Sequence, residues 1–146
     1  MSAQYIYWAS TALLLLLYIS SAFLYLIRGA WVREALAGLG YPAYLVQLMV
    51  VVKILGPIAI LWRPEPFLSD LAYAGMLYHL LLSGLAHLGV RKPRAAVPAV
   101  VGLMLLAASF YTQNAARETP SPYAPMRFER SAAHGHATEE ASPWLG

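Results

Sequence analysis

The chain has 146 residues, of which 60% are hydrophobic and 12% charged, against about 45–50% and about 25% in soluble domains. A soluble fold of this length cannot hide that much apolar surface, because small domains bury a smaller share of their area than large ones. The charges are unevenly placed: none precedes Arg28, and seven of the seventeen fall between Arg117 and Glu140, which points to a membrane protein.

A membrane-spanning helix needs roughly 20 apolar residues, within a range of about 17–25. The first such stretch is Trp8 to Ile27, uncharged and stopped by Arg28-Gly29. A cleaved signal peptide would carry a basic n-region, a shorter apolar core and a small-x-small cleavage site, and this segment has none of them. It is expected to be a retained span. After it, Trp31, Ala35, Leu36 and Leu39 can line one face of a short helix in the interface plane, with Arg33 and Glu34 toward water. An ordinary loop is the alternative. Gly38, Gly40 and Pro42 then turn the chain into the second span, from Tyr44 to Trp62, which contains a single charge, Lys53. Pro57 leaves the carbonyl of Lys53 without its helical donor. The third span runs from Leu71 to Leu88 and the fourth from Ala95 to Thr112, with Pro98 in its first turn.

Closely spaced apolar segments that must satisfy their own backbone in lipid predict an all-α membrane protein, a four-transmembrane-helix antiparallel bundle. A transmembrane barrel would show alternating segments of about ten residues, and none is seen. Residues 1–114 are expected to form the four-span domain. Residues 115–146 read as a polar, proline-containing tail without a core of its own, disordered or held by a partner.

The loops between spans one and two and between spans three and four hold Arg28, Arg33, Arg91, Lys92 and Arg94 against one acid, Glu34. The excess of basic residues in short loops places both in the cytoplasm and both termini outside. The sequence pI of about 9.3 is explained by these flanking charges, so no nucleic acid partner is expected.

Chemistry must come from the few polar groups inside the spans. Lys53, near the middle of its span, is the main anomaly, because an unpaired ammonium in lipid is costly. Its alternatives are contact with a ligand, pairing with a polar neighbour, or snorkelling to the interface. His79, Ser83 and His87 recur every four residues and form one stripe on the third helix, with Gly75 on the same face. Tyr18, Ser21 and Tyr25 form a comparable stripe on the first. The ligand-binding candidates are Lys53, His79, Ser83, His87, Tyr18 and Tyr78.

Haem is not expected. The two span histidines sit on one helix, roughly 12 Å apart by helical rise, and cannot ligate opposite faces of one ring. The absence of cysteine excludes disulfides, thiolate chemistry and cysteine-held zinc, haem or iron–sulfur centres. His134, His136, Glu139 and Glu140 offer metal-binding residue types in the tail without a defined ligand geometry, so no metal site is expected. Neither a catalytic Ser–His–acid set nor a phosphate-cradling glycine loop is present.

Gly40-Tyr41-Pro42 with Tyr44, Lys53 with Gly56 and Ala59, Ala72-Tyr73-Ala74-Gly75, and Ser83 through His87 together resemble the DoxX-like family of small four-helix membrane proteins over roughly residues 5–113. The chain departs from that pattern at Asp70, where a glutamate before an aromatic is common, and in the four-residue separation of Ser83 and His87. The resemblance implies a small integral protein of the bacterial plasma (cell inner) membrane. The family includes membrane subunits of quinone-linked sulfur oxidation, and related proteins serve in assembly or trafficking.

Two functions follow as expectations. The first is an accessory or scaffold subunit of a larger membrane complex, with membrane lipids, other subunits or its own copies as partners. The second is a quinone- or lipid-binding subunit linked to an oxidoreductase, in which Lys53 and His79 hold the polar head and Tyr18 or Tyr78 flanks the ring. No intrinsic cofactor and no autonomous catalysis are expected. Transport is disfavoured, because the inverted repeats and broken helices of secondary transporters are not evident.

Overall fold

The computed structural model describes residues 2–125, which form five α-helices and no strand. They are α1 (Ser2–Ile27), α2 (Gly29–Ala37), α3 (Leu45–Trp62), α4 (Pro66–Gly89) and α5 (Pro93–Ala116). Four of them, all but α2, are long and apolar enough to cross a membrane. The expected four-span helical bundle is therefore the fold.

Three spans, α1, α4 and α5, are longer than hydropathy alone suggested, and in α4 and α5 the extra turns have identifiable causes. Pro66 and Pro93 each stand in a first turn, where the missing N–H is no loss and the fixed φ suits the helix. α4 therefore begins before Asp70 and α5 before Arg94. α5 runs past Thr112 because Gln113 and Asn114, polar by type, are buried by packing. α3 ends where Arg63 adopts the left-handed conformation at φ 46 and Pro64 prevents continuation.

The segment after the first span is helical, with a different inward face from the one expected. Val32 is buried and Leu36 and Leu39 are half-buried, whereas Trp31 and Ala35 are exposed. A nine-residue helix carries too few positions for composition to fix its rotation. Gly40, at φ 83, then makes the turn toward α3 that only glycine adopts without strain.

The four spans form a closed ring in the order α1, α3, α4, α5, with α1 and α5 also in contact. Neighbours are antiparallel, as the short connections require. Along α1 and α5, Tyr7 meets Arg117 and Thr11 meets Ser109. Along α4 and α5, Asp70 meets Gln113 and Tyr73 meets Ser109. The core is Leu14, Tyr18, Ile60, Tyr73, Met76, Leu80, Ala99 and Leu106. Lipid is as apolar as these side chains, so close packing and polar contacts rather than hydrophobic transfer hold the ring. Gly102 shows how close the approach is: a Cβ there would stand 2.7 Å from Leu80 Cδ2 and 3.1 Å from Leu17 Cδ2. The outer faces present Leu16, Leu26, Leu55, Leu82 and Met104, the lipid-facing surface of such a bundle.

Residues 117–125 fold back over the ends of α4 and α5. The rest of the tail, with His134, His136, Glu139 and Glu140, lies outside the described residues.

Candidate functional site

Lys53 projects from the middle of α3 into the bundle and is only 5% exposed. Antiparallel packing of α3 on α4 brings His79 to the same depth, with Lys53 Nζ 3.3 Å from His79 Nε2. The opposite ring nitrogen, Nδ1, lies 3.1 Å from the Tyr18 hydroxyl, which donates to the Met76 carbonyl at 3.3 Å. The direction of this chain follows from chemistry. An ammonium can only donate, so Nε2 accepts and the imidazole proton sits on Nδ1, donating to Tyr18. The ammonium also lies over two rings, 5.3 Å from the Tyr18 centroid and 5.2 Å from that of Tyr25. Such cation–π contacts gain strength where water is excluded. Snorkelling does not occur: the amine is held in the bundle by an imidazole and two phenol rings.

Beside this chain lies a groove of about 360 Å³ between α1, α2, α3 and α4. His79, Ser83 and His87 form one wall as the spacing predicted, with Gly75 extending it. A Cβ built on Gly75 meets nothing within 4 Å, so the groove keeps its width there. Tyr25 and Tyr41 also line it, while Leu36, Leu39, Met49 and Val52 supply apolar surface. His87 Nδ1 is buried without a hydrogen-bond partner among the described residues.

Tyr78 is not part of this arrangement. It is 67% exposed and outside the groove lining, because one residue along a helix is a rotation of about 100° from His79. Tyr25, and not Tyr18, lines the groove from α1. Its place on the Tyr18, Ser21 stripe was the signal that pointed to it.

A second polar cluster, at the other end of the bundle, was not legible as a site. Ser109 Oγ is 2.7 Å from Thr11 Oγ1 and 2.6 Å from the Tyr73 hydroxyl. Asp70, read as a boundary residue, is only 9% exposed; it accepts from Ser121 Oγ at 2.7 Å and Gln113 Nε2 at 3.3 Å. Asn114 clasps the folded-back segment, donating to Ser121 O at 2.9 Å and Ala124 O at 3.0 Å and accepting from Ser121 N at 2.7 Å. α1 contributes one of these groups, α4 two and α5 three, and Ser121 lies beyond the last helix, so no single helix carries the cluster. The cluster has no histidine, and it reads as a structural clamp. Among the described residues no group of three or more His, Asp or Glu is placed to hold a metal ion.

No curated protein and no solved structure matches the chain significantly. The family comparison does match, over residues 9–109, a stretch that contains Lys53, His79, Tyr18 and every polar residue of the groove but omits the clamp around Ser121. The chain thus belongs to the DoxX-like family, as the motifs around Lys53 and Ser83 had suggested.

Proposed function

We propose that this DoxX-like membrane protein binds a lipid-soluble, ring-bearing ligand with hydrogen-bond-accepting groups, a quinone being the best fit, in the groove between α1, α2, α3 and α4. It would act as the membrane subunit of an oxidoreductase rather than as a catalyst by itself. One observation carries this: a buried ammonium, bonded to the imidazole that forms a groove wall. The groove volume of about 360 Å³ lies in the usual range for small-molecule sites, about 300–1,000 Å³. Its mixture of apolar walls and a few hydroxyl and imidazole groups suits a ring carrying carbonyls.

The residues divide the work. Both ring nitrogens of His79 are engaged, so hydrogen bonds to a carbonyl fall to Ser83, His87 and Tyr25. Lys53 supplies positive potential beside the groove, which favours electron density arriving on a ligand in a low-dielectric site. Tyr18 and Tyr25 shield the ammonium from lipid and fix its position. A bound quinone would itself supply the electron- and proton-transfer chemistry.

The test is titration of the purified full chain in mild detergent with a short-chain quinone, alongside Gly75→Leu. Saturable binding by the wild type, weakened about tenfold or more by a side chain that fills the groove, supports the proposal. No saturable binding, or equal binding by both proteins, removes it.

An accessory role draws support from a different observation. A second, apolar groove of about 610 Å³ runs between α4 and α5, walled by Phe67, Leu77, Leu103, Ala107, Phe110 and Tyr123. It suits an apolar helix of a partner subunit. Recovery of a stoichiometric membrane partner from mild detergent, lost in Ala107→Trp, supports this role; a wild-type protein recovered without a partner rejects it.

A further inference from the structure

The five basic residues at the α2 end of the bundle, Arg28, Arg33, Arg91, Lys92 and Arg94, are all exposed, as flanking charges of membrane spans usually are. Arg63 at the opposite end is different. Its Nε, Nη1 and Nη2 are all shielded from solvent and have no hydrogen-bond partner among the described residues. A guanidinium cannot relieve this by losing its proton, and a charge held away from water without a partner is costly.

Arg63 lines a cavity of about 340 Å³ with Trp8, Pro64, Arg117, Glu118 and Thr119. Arg117 is anchored in that wall. Its Nε donates to the Tyr7 hydroxyl at 2.7 Å, its Nη2 to the Ile60 carbonyl at 2.9 Å, and its guanidinium carbon lies 4.9 Å from the Trp8 ring centroid. Two arginines thus share one small cavity, one fixed and one unpartnered. The cavity lies where α1 and α4 begin and α3 and α5 end, beside the exposed indoles of Trp8 and Trp62. Tryptophans at span ends mark the headgroup level of a bilayer.

We propose that this cavity binds a phosphate group, supplied by a phospholipid headgroup or by free phosphate. Guanidinium and phosphate match in a two-point hydrogen-bonded pair. A rotation of the terminal torsions of Arg63 exchanges a position without partners for that pairing, with Arg117 adding a second positive charge and Thr119 a hydroxyl. Glu118, exposed on the same wall, opposes an anion and limits the affinity.

The experiment uses the full chain in mild detergent, with bound phosphatidylglycerol counted by native mass spectrometry and inorganic phosphate titrated by calorimetry in parallel. Wild type is expected to bind one of the two saturably, Arg63→Gln to bind it about tenfold more weakly, and Glu118→Gln to bind it more tightly. Phosphatidylglycerol retained against excess inorganic phosphate identifies the headgroup as the source; saturation by inorganic phosphate without lipid retention identifies the free ion. The bound species should raise the thermal midpoint of wild type and not that of Arg63→Gln. Since Glu118 is exposed, its variant reports on the site even if Arg63→Gln does not fold. Binding of neither species by wild type, or affinities unchanged in Arg63→Gln and Glu118→Gln, overturns the proposal.

Discussion

The imidazole of His79 is held between the ammonium of Lys53 at 3.3 Å and the hydroxyl of Tyr18 at 3.1 Å. Three spans are thereby joined through one ring, since Tyr18, Lys53 and His79 belong to α1, α3 and α4. The tautomer of His79 is set by the fact that its Nε2 neighbour has no lone pair to offer. A protein that needed only apolar packing here would place leucines at these positions, because in lipid a polar cluster gains little over a well-packed apolar one.

Lys53→Leu should therefore leave insertion and folding intact while removing the potential beside the groove. A central lysine opposes insertion by about 2.5–3.5 kcal/mol, so the variant should insert at least as well as wild type. Quinone or lipid retained per mole of purified protein should fall about tenfold. Equal retention by mutant and wild type would show that the ammonium has no part in binding.

The two glycines of α4 and α5 should respond in opposite directions to the same substitution. At Gly75 a methyl group meets open space, so Gly75→Ala should gain the helical preference of alanine, about 1 kcal/mol. At Gly102 the methyl would stand 2.7 Å from Leu80 Cδ2, and overpacking of this kind costs about 1–3 kcal/mol. Thermal midpoints in detergent should rise for Gly75→Ala and fall for Gly102→Ala. Two shifts of the same sign would mean that the α4–α5 approach is looser than the geometry indicates.

Much of this architecture was legible because lipid imposes simple rules. Apolar length located the four spans, and the equal depth of Lys53 and His79 on antiparallel neighbours foreshadowed their contact. The stripe at His79, Ser83 and His87 survived as a groove wall for the same reason, being a property of one helix. Features depending on several segments were hidden. Asp70 looked like a boundary charge because its partners, Gln113 and Ser121, come from the far end of the chain. Arg63 beside two prolines reads as a solvent-exposed turn, and only the packed bundle shows its nitrogens enclosed.

The folded-back segment predicts unequal truncations. Ending the chain after Pro125 keeps Arg117 on the α3 carbonyls and Ser121 on Asp70. Ending it after Ala116 removes both and leaves a buried carboxylate short of a donor, at a cost of about 1–3 kcal/mol for each lost partner. The thermal midpoint should drop by about 5–10 °C in the shorter protein and stay near wild type in the longer one. Ser121→Ala should reproduce part of the loss. If both truncations melt together, the Asp70 clamp does not support the bundle.

The orientation in the membrane can be decided with the chain's lack of cysteine, since any introduced thiol is the sole target. The α2 end carries five basic residues near the spans, against Arg63 in the short loop and Arg117, Arg127 and Arg130 after the last span at the other end. The excess in the short loops favours the α2 end in the cytoplasm. Ala37 and Pro120 are exposed at opposite ends, and neither belongs to the groove, the clamp or the arginine cavity. A membrane-impermeant maleimide should label Pro120→Cys in intact cells and Ala37→Cys only after permeabilisation. The reverse pattern would place the groove's α2 side outside, where a ligand would reach it from the extracytoplasmic leaflet.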